Sequence, residues 1–419
     1  MQTLNQSPTD PGFVQNPYPF YEAARAAGPF FHWADYDLTC TGNAAAVNAI
    51  FRDRRFGREV PAEKAPLIPD HLAPFYAVEA HSMLELEPPR HTRLRSLVLR
   101  AFTTRRINAL APEIATLTHQ LIDGFPDGEF DLLKHFGQRL PVIIIARLLG
   151  VPEEMSDDLL RWSNAMVGMY MAGRNRDRED RAIAATESFV SFMRGYVEAR
   201  RKDPRDDLIT SLIAAEEGGE KLTTDELITT CILLLNAGHE ATVHTIGNGV
   251  KTLLQTGHGI TADTAEDTFE EILRFDPALH MFTRWAYEDI EVMGQQFRRG
   301  DQVGLLLAAA NRDPGPWEDP DRFDPDRMIG ATLGPTTWFP FGGGNRRCLG
   351  ATFAMTEMKV VLREVLRRVD LCTTADPDES QRVRGVIAAS SAAGESLKPE
   401  AIGQRITTGR PPAIKTMSE

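Results

Sequence analysis

The chain has 419 residues, 42% hydrophobic and 25% charged, so it is long enough to bury a large core and ordinary in composition for a globular protein. Its formal net charge of −13 argues against a nucleic-acid partner. The four cysteines, Cys40, Cys231, Cys348 and Cys372, are far apart and form no CxxC pair, which argues against a disulfide framework and for a reducing compartment.

The first residues, through Phe31, are polar and proline-rich. They hold no basic segment followed by an apolar run, so no signal peptide is expected. No stretch approaches about 20 uninterrupted apolar residues, so no membrane anchor is expected either. Helical periodicity predicts helices near 18–27, 43–52, 90–101, 110–124, 136–150, 153–170, 178–201, 206–216, 222–256, 266–275 and 350–369. Short strands are expected at 30–33, 289–292, 296–298 and 302–306. Prolines 314, 316, 320 and 325 make the stretch from Asn311 to Arg327 an irregular loop. There is no repeat and no linker. The chain reads as one mainly α domain over 1–419 with small β-sheets near 30–60, 285–310 and 380–400.

The longest predicted helix, 222–256, opens with a capping box, Thr223 and Glu226, and runs for about 50 Å. Its first half is nearly all apolar, as in a helix that crosses a protein interior. Midway comes Asn236-Ala237-Gly238-His239-Glu240-Ala241-Thr242. A glycine beside a carboxylate is costly inside a helix, which invites a functional reading; the plain alternative is a kink with a solvated Glu.

Near the other end, Phe341-Gly342-Gly343-Gly344-Asn345-Arg346-Arg347-Cys348-Leu349-Gly350 puts one cysteine at the end of a glycine-rich loop before a helix. A helix N-terminus and two arginines favour a thiolate there, and the glycines let the backbone curl closely around whatever the sulfur binds. A nucleophilic Cys needs a base, and no His is near in sequence. Zinc needs several ligands, and no second Cys has zinc spacing. A single open-sided thiolate suits the axial position of a haem iron. The plain alternative is an inert buried Cys.

Phe341, Gly344, Arg346, Cys348 and Gly350 resemble the haem-binding signature F-x-x-G-x-R-x-C-x-G of the cytochrome P450 family. The resemblance extends over nearly the whole chain, and the start, with Asn16-Pro17-Tyr18-Pro19-Phe20-Tyr21, is similar to the soluble bacterial type. It implies a mostly helical triangular fold around haem b, with Cys348 as the iron ligand and a cytoplasmic location. His91 and Arg95, Arg284 and Arg346 match the family's haem-propionate ligands. Glu271, Arg274 and Arg322 match its structural acid–base triad. Ala237, Gly238 and Glu240 match the oxygen-side motif A/G-G-x-D/E-T, in which an acid and an alcohol hold the proton-delivering water. Here the alcohol position is Ala241, and Thr242 comes one place late. One residue turns a helical side chain by about 100°, so Thr242 does not simply replace the missing hydroxyl. Glu240 and ordered water, with a substrate hydroxyl filling the gap, are the expected proton carriers.

The resemblance also places Ala237, Ala241, Leu279, Phe282 and Met169 in an apolar substrate pocket, with Met166 and Met171 nearby and a tip near 387–392. The arginines of 90–106, with no acid among them, suggest a basic face for an acidic ferredoxin. The expected activity is insertion of one oxygen atom into a small or medium apolar molecule, with electrons from NAD(P)H through separate redox proteins. Two alternatives are a peroxide-driven or non-hydroxylating enzyme, suggested by Ala241, and a ligand binder without turnover. Residues 255–268 are short where the family has another helix.

Overall fold

The computed structural model describes residues 1–126, 129–171, 174–217, 219–259, 261, 263–334, 336–368, 370–373 and 405–409. Seven helices position the site: α1 (Arg90–Ala101), α2 (Arg139–Leu149), α3 (Ser156–Val167), α4 (Arg176–Lys202), α5 (Thr224–Thr256), α6 (Ala265–Phe275) and α7 (Ala351–Arg368). Apolar spacing explains how they pack. In α1, His91, Leu94, Leu97, Val98 and Ala101 form one buried stripe, while the arginines between them face outward or sideways. In α2 nearly every residue is apolar and nearly every one is buried.

The 33-residue helix α5 runs through the helical core against α2, α3 and α4. Its capping box forms as expected: the Glu226 N–H donates to Thr223 Oγ1 at 3.2 Å, and the Thr223 N–H donates to Glu226 Oε2 at 2.9 Å. It ends on Gly257 in the left-handed conformation. The connection from there to α6 is short, as the sequence suggested, with no intervening helix among the described residues.

A mixed six-stranded sheet stands beside the helices. Its strand order is Gln2–Leu4, Phe31–Trp33, Leu38–Thr41, Gln302–Leu306, Met281–Ala286 and Phe56–Gly57. The central strand Gln302–Leu306 runs parallel to Leu38–Thr41, with Gly304 opposite Cys40, and antiparallel to Met281–Ala286, with Val303 opposite Arg284. A Cβ at Gly304 would lie 2.6 Å from Cys40 Sγ, so only glycine fits that crossing. A hairpin of Ile290–Val292 and Gln295–Phe297 adjoins it.

The predicted helices and the four predicted strands all form, with ends shifted by a few residues. Periodicity did not reveal strand Met281–Ala286, whose burial breaks simple alternation, nor the π-turn Leu133–Gly137 before α2. The β-rich piece expected near 380–400 and the pocket tip near 387–392 lie outside the described residues.

Candidate haem-thiolate active site

The loop from Phe339 to Gly350 is held by its own backbone. Gly342 N–H donates to Phe339 O, and Cys348 N–H donates to Phe341 O, both at 2.9 Å. Gly342 and Gly344 have positive φ, 66° and 65°. A Cβ at Gly344 would sit 1.9 Å from Phe51 O, and one at Gly343 would sit 2.7 Å from the Phe51 ring. The glycines are therefore demanded by the helix Ala44–Arg52, which crowds the loop from behind. Phe341 packs edge-on against Trp338, with ring centres 5.7 Å apart. Cys348 is open on one side. Burial pushes its thiol up, against the pull of the Gly350 N–H and the charges of Arg95 and Arg347. Helix α7 begins at Ala351, three residues beyond Cys348. A coordinated cation deprotonates such a thiol outright.

Four basic side chains were expected at the rim of this loop, and all four are near it. Arg95 donates to Arg347 O at 2.7 Å. His91 is buried on the next turn back, with Nδ1 lacking a hydrogen-bond partner, and burial with the charges of Arg346 and Arg95 lowers it to about 4. Arg284 is buried over the Phe51 ring, 5.0 Å from its centre, with no carboxylate in ion-pair reach among the described residues. Burial and the neighbouring Arg58 and Arg346 bring its pKa down to about 9. Arg95 and Arg284, with no carboxylate partner among the described residues, suit anions from outside the chain, and two carboxylates of a porphyrin meet that need. Arg346 differs: it pairs with Glu87 at 2.5 Å and donates to Met83 O and Leu84 O. Glu87 is a partner that the motif did not reveal.

The middle of α5 is the second part of the candidate site. Ala237 is exposed there, and Ala241 and Glu240 are half-buried, whereas the residues of the opposite face are buried. Thr242 is buried and donates to Gly238 O at 2.8 Å, so its hydroxyl is tied to its own helix. Glu240 lies 3.2 Å from His244. Burial works against its ionisation, but the hydrogen bond and charge of His244, with His239, outweigh it and hold the carboxyl below its usual range. Leu279 and Phe282 are half-buried at the sheet side, and Phe282 packs by Gly342. Met169 and Met166 are buried in the helical core instead, Met166 Sδ lying 3.9 Å from Asn236 Nδ2.

The structural triad forms with one correction. Arg274 is fully buried and binds Glu271 in bidentate fashion, at 2.7 and 2.8 Å. It also donates to Asn311 O and Pro320 O. The third member is Arg327, whose Nε lies 3.3 Å from Glu271 Oε1. Arg322 is largely exposed and pairs with Asp324; only its carbonyl reaches Arg274. Pro-Asp-Arg occurs twice, at 320–322 and 325–327, and the sequence alone did not distinguish the copies.

The basic face is also corrected. Folding brings acids to the arginines of 90–106: Arg93 pairs with Glu220 and Glu226, and Arg106 with Asp206. Arg105 and Arg347 remain exposed.

An exposed cysteine in a glycine cradle with Arg95, Arg284 and Arg346 near it is the arrangement that a haem-thiolate protein needs. The Cytochrome P450 family model matches residues 264–391. The chain is 36% identical over 391 residues to the Vitamin D(3) 25-hydroxylase of Pseudonocardia autotrophica, covering 89% of this chain and 93% of that one. It is 31% identical over 381 residues to the Biotin biosynthesis cytochrome P450 of Bacillus subtilis (strain 168), covering 89% and 94%. Among solved structures, P450BioI in complex with hexadec-9Z-enoic acid ligated acyl carrier protein superposes with a TM-score of 0.81 at 30% identity, covering 95% of this chain and all of that one. The chain belongs to the cytochrome P450 family. It is a bacterial-type haem b monooxygenase with the P450 fold, and no helix among the described residues is long and apolar enough to cross a membrane.

Proposed function

We propose that this single-domain enzyme inserts one atom of O2 into a small-to-medium apolar organic molecule in the bacterial cytoplasm. Electrons come from NAD(P)H through a separate ferredoxin-type donor. Bound haem supplies the iron at which dioxygen is reduced. Cys348 would hold that iron, and His91, Arg95, Arg284 and Arg346 would hold the propionates. Ala237, Ala241, Leu279 and Phe282 orient the substrate and exclude water, and Glu240 moves protons. The observation that carries the reading is Cys348, open on one side in a loop that only glycines can form. Reduction under carbon monoxide tests it: a red-displaced Soret band is expected, and its absence in Cys348-containing, haem-loaded protein overturns the assignment.

Ala241 favours a second reading, peroxide-driven or non-hydroxylating chemistry. Turnover with hydrogen peroxide alone, compared with turnover on ferredoxin and NAD(P)H, separates the two. A substrate library scored by the spin-state shift of the Soret band identifies the molecule oxidised.

A further inference from the structure

Where the family's oxygen-side motif has an alcohol, this chain has Ala241, and the neighbouring hydroxyls do not fill the place. Thr242 donates to Gly238 O and Thr245 to Ala241 O, both at 2.8 Å. The side chain that meets Glu240 is an imidazole. His244 is one turn beyond Glu240 on α5, with Nε2 3.2 Å from Glu240 Oε2. Helical side chains lean toward the N-terminus, so the ring at 244 lies over the turn that carries Glu240 and Ala241. It is 14% exposed, enough for water to reach its edge. His239, on the same turn as Glu240, points into the protein interior and is pushed toward the neutral form by burial.

Most other charged groups near α5 are paired among themselves: on α3 Arg161 with Asp158, and on α4 Arg194 with Asp225 and Arg200 with Asp207. Of the helices packed against α5, α2 carries Arg147, which pairs with Glu153 at 2.9 Å. On α6, Glu271 and Arg274 bind each other, and Glu270 lies 3.6 Å from Lys359 of α7. Glu357 of α7 is buried, and Lys134 and His135 sit on the π-turn. None of these sets the charge of Glu240; burial, His244 and His239 do.

We propose that His244 is a positioning residue for oxygen activation in this chain: it fixes the Glu240 carboxylate where Ala241 leaves no hydroxyl to hold it, and it returns the proton that each turnover takes from Glu240. In that transfer the Nε2–H bond of the imidazolium breaks and an O–H bond forms on the carboxylate. The neutral ring then takes a proton from hydronium in the solvent, leaving water. The inference rests on Glu240 being the proton-carrying acid of the proposed function.

The test uses the full-length haem-loaded chain with spinach ferredoxin, its reductase and NADPH, without added substrate. Prompt proton delivery reduces oxygen to water; failed delivery releases hydrogen peroxide. His244→Asn and His244→Gln are each expected to raise peroxide released per NADPH at least twofold, with the thiolate carbon monoxide band retained. A second measurement follows the 13C resonance of the Glu240 carboxyl with pH, assigned by its loss in Glu240→Gln. Its midpoint is expected to move upward in both His244 variants. If peroxide yield and midpoint are unchanged in both while Glu240→Gln raises the yield, the role of His244 is overturned and that of Glu240 stands. If Glu240→Gln itself leaves the yield unchanged, the Glu240 reading falls and the His244 role falls with it.

Discussion

A carboxylic acid without a partner is costly inside a protein, and Glu357 on α7 is fully buried with neither oxygen hydrogen-bonded. Burial pushes its pKa up to about 8 from an ordinary 4.5. The folded chain therefore keeps a proton that the unfolded chain releases. This contribution to stability is complete below about pH 4.5 and is lost as pH rises through about 8, at up to about 1.4 kcal/mol per pH unit. Glu357→Gln is expected to raise the melting temperature at pH 8 by a few degrees more than at pH 5; equal shifts at both pH values would count against a neutral buried acid. At residue 241, Ala241→Thr restores a hydroxyl beside Glu240 and is expected to lower the peroxide released per NADPH. An unchanged yield would mean that the missing alcohol has been fully replaced.

At the scale of elements, the irregular stretch 311–327 is fastened by side chains rather than by a sheet. Arg274 and Glu271 of α6 collect the carbonyls of Asn311, Pro320 and Arg322, the N–H of Asp324 and the guanidinium of Arg327. Asn311 Oδ1 in turn accepts from the Phe339 N–H at 2.7 Å, which ties this knot to the cysteine loop. Removing one member of a buried ion-pair network costs about 3–5 kcal/mol, while an exposed pair contributes about 0–1 kcal/mol. Arg327→Ala should therefore lower the urea midpoint and haem retention sharply, and Arg322→Ala should leave both nearly unchanged; comparable losses would restore Arg322 to the triad. Gly344→Ala forces a side chain at positive φ into Phe51 O, so it is expected to fold with reduced haem retention, read as the Soret-to-protein absorbance ratio.

For the whole molecule, a net charge of −13 sets a repulsive background for an acidic electron donor. Attraction then depends on the few cations left unpaired on the Cys348 side. Arg93 and Arg106 are neutralised by folding, whereas Arg105 and Arg347 are exposed. Arg347→Glu is expected to slow reduction by spinach ferredoxin about tenfold at low salt and to flatten its salt dependence, with Arg106→Ala much less affected. A rate independent of salt in the unaltered enzyme would remove the electrostatic docking face altogether.

Local chemistry was legible in the amino-acid order. Helical spacing defined α1 to α7 because one-sided burial leaves a repeating apolar trace, and the loop of Phe341 to Gly350 was readable because close backbone approach tolerates only glycine. What required the tertiary structure was every choice among chemically identical groups. Two Pro-Asp-Arg copies competed for Glu271, Arg90, Arg93 and Arg106 met acids from distant segments while Arg105 met none among the described residues, and Arg346 found Glu87. A charge's role depends on which partner folding brings within a few ångströms, and the order of residues along the chain does not encode that distance.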